Sequence, residues 1–237
     1  GPTPEDLLHN VDAMGINLQN VNVIALSHAH YDHTGGLIEA LKQTKKRVPV
    51  IAHPTVFDPK LKIMPHLRLI GAPFKSSVVE SAGGVPLLAT DPVKIADGIT
   101  TTGEVPRRTA FESVRGFWTV QDRSFVEDRM IDDQSLVFDV EGKGLVVVAG
   151  CAHSGIINTI KYAQKITDNS RVHAVLGGFH LISADAKSIQ ATVNELEKLD
   201  PHFIGPCHCT GKKATKKITE TFEDRCCPLH TGDIIEF

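Results

Sequence analysis

Little in this sequence is aromatic, continuously apolar or unbalanced in charge. With 25 basic against 28 acidic residues its formal charge is −3 at pH 7, so no net field recruits nucleic acid or an anionic membrane surface. The longest apolar run, Leu145 to Ala149, falls far short of the about 20 residues that span a bilayer. Gly1-Pro2-Thr3-Pro4-Glu5 shows no basic stretch leading into an apolar one, so no secretory signal is visible. Cysteine is scarce: Cys151, Cys207, Cys209, Cys226 and Cys227 are five, an odd number crowded toward the C-terminus. That pattern, with a vicinal pair that bridges only under strain, does not make a secreted disulfide framework. Reduced thiols and a cytoplasmic setting are the expectation. Against two tyrosines and one tryptophan stand twelve histidines, a ratio that asks for metal binding or proton transfer.

At 237 residues, 41% hydrophobic and 22% charged, the chain has the composition of an ordinary globular protein. Thr3-Pro4-Glu5-Asp6 sets a capping hydroxyl, a proline and two acids at the start of a first helix, which Gly15 closes. A buried strand is predicted over Val21 to Leu26, a helix from Gly35-Gly36 to Lys46 and a strand over Val48 to Ala52. The stretch 54–110, rich in proline and glycine, reads as an irregular, partly stranded insertion. Ser135 to Val140 and Leu145 to Ala149 flank Glu141-Gly142-Lys143-Gly144 as a hairpin. Helices to Ile166 and over Ala184 to Leu199 then alternate with strands at Val172 to Leu176 and His202 to Ile204. A lysine-rich helix and a last strand, Asp233 to Phe237, complete a single α/β domain over 1–237.

The chemistry gathers in His28-Ala29-His30-Tyr31-Asp32-His33, at the end of the first predicted strand. Alternate residues of an extended segment point the same way, so His28, His30 and Asp32 converge while His33 turns to the other side. Imidazoles with a carboxylate suit borderline metals such as zinc. His153, His180 and His208 each stand just past a predicted buried strand, where α/β folds collect their ligands. His9, His53, His66, His173, His202 and His230 lack that setting and read as surface or packing residues. Cys207 and Cys209 read as small residues packed at a strand end, or else as thiol ligands or a redox pair. Phe117 and Trp118 read as core, or else as the lining of a pocket for a flat ring. Lys42 to Arg47 and Lys212 to Lys217 read as solvated faces, or else as phosphate-holding runs.

The His28–His33 segment resembles the His-x-His-x-Asp-His signature of the metallo-beta-lactamase superfamily. Gly150-Cys151-Ala152-His153-Ser154-Gly155, Gly177-Gly178-Phe179-His180 and Pro206-Cys207-His208-Cys209-Thr210-Gly211 resemble its dihydropteroate-synthase-like (pterin-synthase-like) branch, as does Thr102-Gly103-Glu104-Val105-Pro106-Arg107. The resemblance implies a four-layer αβ/βα sandwich, here without the strands that precede the first helix in that fold. It implies two divalent metal ions, zinc in the first place with Mn2+ or Fe2+ as alternatives. His28, His30 and His153 would hold one metal; Asp32, His33 and His180 would hold the other. Asp32 would also orient the nucleophile, and His208 would face substrate as a proton-transfer group. Where most members carry a bridging aspartate stands Cys151, either a thiolate ligand or a small buried residue. Glu104 and Arg107 are expected to bind the substrate, a small molecule that is anionic or pterin-like. Three functions follow: a hydrolase of an ester, lactone or phosphate ester; a transferase joining a pterin methyl diphosphate to an aromatic amine; or a metal-binding module without catalysis.

Overall fold

Local signals at the start of the chain are realised as written. In the computed structural model, which describes all 237 residues, helix α1 (Pro4–Ala13) is capped by Thr3, whose Oγ1 accepts from the Asp6 amide at 3.1 Å. Then come β1 (Ile24–Ala25), α2 (Tyr31–Thr34), α3 (Leu37–Thr44), β2 (Val48–Ala52), β3 (Leu61–Lys62) and β4 (Arg68–Leu69). Helix α4 (Ser76–Ser81) precedes β5 (Gly84–Leu88), β6 (Lys94–Ala96), β7 (Ile99–Thr101), β8 (Trp118–Gln121) and β9 (Ser124–Glu127). The hairpin β10 (Ser135–Val140) and β11 (Gly144–Ala149) leads to α5 (Ile156–Thr167), β12 (Val172–Gly178) and α6 (Ala186–Leu199). Strand β13 (Phe203–Cys207) and helix α7 (Lys212–Phe222) follow.

The elements form two compact units. The first comprises residues 1–90, 114–132 and 234–237. Its parallel sheet β1-β2-β5 pairs Ile24 with Val50 and Val50 with Pro86. Leu37 and Leu41 of α3 and Val79 of α4 bury their side chains with Leu26, Val48 and Val50. A second, antiparallel sheet, β4-β3-β8-β9, belongs to the same unit, as does a small core of Ile70, Phe117 and Met130.

The second unit, residues 91–113 and 133–233, is built on a six-stranded sheet in the order β13-β12-β11-β10-β7-β6. Strands β11, β12 and β13 are parallel and buried, and Ile156, Ile157 and Ile160 of α5 pack with Val193 and Leu196 of α6 and Ile218 of α7. Their C-terminal ends are level, with Ala149 paired to Gly177 and Gly178 to Cys207. The loops that follow, carrying His153, His180 and His208, therefore leave from one edge of the sheet. Gly177 is required there: its φ is +114°, and a Cβ would run into the carbonyl of Ala149.

Several expectations need correction. The first strand is only two residues long, and the segment Tyr31–Thr34, read as extended, forms the short helix α2 ahead of the predicted helix, which is realised as α3. The stretch 54–110 is more regular than its weak signals suggest, because β5 and β7 take their order from partners elsewhere, β2 and β10. Asp233 to Phe237 forms no strand: a turn returns the Asp233 amide to the His230 carbonyl, and Ile234 is 89% exposed.

Candidate metal-binding loops

In the first unit, the chain leaves β1 and runs through Ser27 to His30 before turning into α2, which carries the half-buried Asp32 and His33. His28 and His30 are buried, and His28 Nε2 lies 3.1 Å from His30 Nδ1. The His33 ring centroid is 4.2 Å from that of His28, and Asp32 Oδ2 is 3.5 Å from His33 Nε2. The four donors predicted for this loop are thus brought together. Ser27 Oγ sits 3.1 Å from His28 Nδ1 and so orients the first ring. Burial pushes the His30 imidazole down to about 4, against the pull of Asp132 and Asp32. At neutral pH it keeps the lone pair that ligation needs. Imidazoles beside a carboxylate fit a divalent borderline cation.

Two further residues hold this loop, neither of them visible from the sequence. Asp132 Oδ2 accepts the Ala29 amide at 2.7 Å, between the two buried histidines. Its other oxygen lies 2.9 Å from the ammonium of Lys60, which also meets Asp128 at 3.0 Å. Burial would discharge Lys60, but Asp132 and Asp128 together outweigh it and hold its pKa above the ordinary lysine value.

In the second unit, His153 is buried after β11, and its ring centroid is 4.1 Å from that of His180. His180 and His208 both adopt left-handed backbone, each at φ +48°, as does Ala152 at +52°. Such strain in residues with a Cβ concentrates at functional sites. The loops are tied together: the Phe179 amide donates to Thr210 Oγ1 at 3.0 Å, the Ile182 amide to the Cys209 carbonyl at 3.1 Å and the Gly178 amide to the Gly150 carbonyl at 3.2 Å. Donor atoms of Cys151, His208 and Cys209 lie within 4.8 Å of one another. Cys209 is therefore a metal-capable residue, in line with the thiol-ligand alternative to packing that the sequence left open. A hydrogen bond with Cys151, assisted by His180 and opposed by burial, holds its thiol well below the ordinary value.

The predicted substrate residues fall differently. Arg107 places Nη2 3.5 Å from Ser154 Oγ, beside His153, whereas Glu104 is exposed. Asp133 Oδ2 takes the Ser154 amide at 2.9 Å. Glu112, also unmarked in the sequence, caps α5: its two oxygens accept the amides of Ile157 at 2.8 Å and Asn158 at 2.9 Å. Gly155 makes room for it, since at φ +97° a Cβ there would meet the Glu112 carboxyl.

Residues 2–208 match the family described as the metallo-beta-lactamase superfamily. The chain belongs to that superfamily. Among its curated members, the 7,8-dihydropterin-6-methyl-4-(beta-D-ribofuranosyl)-aminobenzene-5'-phosphate synthase of Methanocaldococcus jannaschii is 37% identical over 239 residues, covering 98% of this chain and 81% of that protein. An uncharacterized protein of the same organism, MJ0448, is 33% identical over 202 residues, covering 85% of this chain and 74% of the relative. Among solved structures, the crystal structure of Tm1679, a metal-dependent hydrolase of the beta-lactamase superfamily, superposes with a TM-score of 0.81 at 25% identity, over 97% of this chain and 84% of its own. The mixed α/β architecture is that of a metallo-beta-lactamase fold. No helix is long and apolar enough to cross a membrane.

Proposed function

We propose that this protein is a metal-dependent transferase that joins a pterin methyl diphosphate to an aromatic amine. The observation that carries this reading is the 37% identity, over nearly the whole chain, to a synthase whose name describes a dihydropterin 6-methyl unit on a ribofuranosyl-aminobenzene 5'-phosphate. In such a condensation the bond from the methyl carbon to the diphosphate oxygen breaks and a carbon–nitrogen bond forms. The amine nitrogen gives up a proton and diphosphate leaves.

His28, His30 and His153 are assigned to one cation and Asp32, His33 and His180 to a second, with Cys151 as a thiolate donor among them. Zinc suits this mixture of nitrogen, oxygen and sulfur, and Mn2+ and Fe2+ are the alternatives. A bound divalent ion supplies charge stabilisation for the leaving diphosphate. Asp32 also orients the attacking group, and His208 accepts the proton the amine releases. Arg107, held at Ser154, matches an anionic phosphate oxygen, and Glu104 is assigned to the polar edge of the ring.

A second reading, hydrolysis of an ester, lactone or phosphate ester, is favoured by the similarity to Tm1679; there Asp32 and His208 would serve an attacking water. The two readings separate when metal-replete protein is given a dihydropterin methyl diphosphate and an aminobenzene. The transferase yields adduct and diphosphate in equal amounts. Free hydroxymethyl pterin without adduct favours the hydrolase. Neither product, with aryl esters also left intact, leaves a metal-binding module and overturns both.

A further inference from the structure

Lys60 is 2% exposed and lies among two carboxylates, Asp132 and Asp128, that are themselves buried. Three charges withdrawn from water contribute little to stability compared with well-packed apolar groups of the same volume. The surroundings of Lys60 show a different use for them. From its ammonium, the contact to Asp132 at 2.9 Å continues through the Asp132 carboxylate to the amide of Ala29 at 2.7 Å. From its backbone, the Lys60 carbonyl accepts the amide of Ile70 at 2.8 Å, and the Ile70 carbonyl accepts the amide of Tyr31 at 2.9 Å. Ala29 and Tyr31 are the two neighbours of His30. Both amides flanking that histidine therefore lead back to one residue, the first through its side chain and the second through its main chain. Asp128 fixes the far side of the ammonium, its own Oδ1 being committed to the Met130 amide at 2.8 Å. Gly71 lets the strands close here, because a Cβ on it would stand 3.1 Å from the Lys60 nitrogen.

We propose that Lys60 is a positioning residue for the metal-binding loop: through Asp132 and Ile70 it clamps the backbone on both sides of His30 and so sets where the His28 and His30 imidazoles stand. The proposal rests on the reading of that loop as a metal ligand set. Lys60 is not among the residues assigned to a metal; it acts on those residues through the main chain. A buried ammonium suits the task better than an apolar residue because it binds Asp132 directionally and leaves the trio with one net negative charge, favourable beside a cation.

The test uses the full chain and Zn2+ in competition with a chromophoric chelator. In Lys60→Met/Asp128→Asn one positive and one negative charge are removed together, so Asp132 keeps its charge and no extra one is buried. Apo protein is expected to melt close to wild type, while Zn2+ affinity falls about 10–100-fold. Asp132→Asn, isosteric and able to keep one acceptor, is expected to lose affinity in the same range and serves where the double variant does not fold. With Co2+ in place of Zn2+, both variants should show altered ligand-field bands, which a change in global stability alone would not produce. Folded variants with wild-type Zn2+ affinity and an unchanged cobalt spectrum overturn the role of Lys60 alone. Wild-type protein that binds neither ion overturns the metal reading and this one with it.

Discussion

Replacing Glu112 by alanine tests the cap that sits behind the His153 loop. Helix α5 begins after Gly155, which offers no capping side chain, and its first amides are deeply buried: Ile157 is 0% and Asn158 2% exposed. The Glu112 oxygens accept from one of these amides each, and the second also accepts from the Thr109 hydroxyl at 2.7 Å. Alanine leaves two buried N–H groups without their acceptors, about 1–3 kcal/mol each. Water entering the vacated space recovers part of that. The expected loss is about 2–4 kcal/mol, which for a chain of this size lowers Tm by roughly 4–16 °C. Glutamine returns only one acceptor and turns its amide group toward the other N–H, so about half the loss is expected. The pH dependence has a definite sign. Burial raises the Glu112 carboxyl above its ordinary value of 4.5, outweighing the Ile157, Thr109 and Asn158 hydrogen bonds that lower it. The folded protein therefore holds the proton more tightly than the unfolded chain. The carboxyl's contribution is complete below 4.5 and shrinks as pH rises through the raised native value. The gap in Tm between wild type and Glu112→Ala should accordingly widen as pH falls toward 4.5. Calorimetry of apo protein across that range decides it. A Tm within about 2 °C of wild type at neutral pH, or a gap that narrows on acidification, would refute the reasoning.

Replacing His28 by alanine removes a buried donor and should abolish turnover with the far-ultraviolet circular dichroism nearly unchanged; retention of more than about a tenth of wild-type rate would mean that the metal is not catalytic. His180→Ala should bring metal content, read by plasma emission, from about two toward about one per chain, whereas His208→Ala should cut turnover with both ions retained; the reverse pattern exchanges the two roles. Ile160→Ala opens a cavity where α5 packs in the core of the second unit, and chemical denaturation should show about 2–5 kcal/mol lost. A loss under about 1 kcal/mol would mean that the neighbouring helices close over the gap.

How much of this was legible in the sequence follows from where each signal resides. The β10–β11 hairpin is local: alternating apolar runs flank a turn whose Gly142 and Gly144 take φ +73° and +112°. Strand β2 matches its predicted bounds because Val48, Val50 and Ile51 make a short, buried, β-rich run that outweighs Pro49. The gathering of histidines into metal-capable clusters was legible too, since each follows a strand whose end α/β folds turn toward their ligands. The β8–β9 hairpin was not, because its turn uses Asp122 and Arg123, both left-handed at +48° and +64°, where glycine or asparagine would have marked it. The left-handed His180 and His208 are equally silent, since nothing in a histidine's identity announces a positive φ.

The residues that hold the donors in place form the least legible class, and the reason is physical. A metal ligand declares itself by its own chemistry and by spacing within a few residues. The carboxylate that fixes Ala29 comes from a position 103 residues away, and the lysine behind it is separated from that carboxylate by 72. No helical or strand periodicity links such positions, and an aspartate or lysine in a polar stretch reads as solvated. Burial alone reverses that reading. Once Lys60 is seen to be 2% exposed, its charge must be matched, and the partners that match it are the ones that reach the loop. The metal-capable side chains are therefore written in the local sequence, while the contacts that hold their loop arise only in the folded chain.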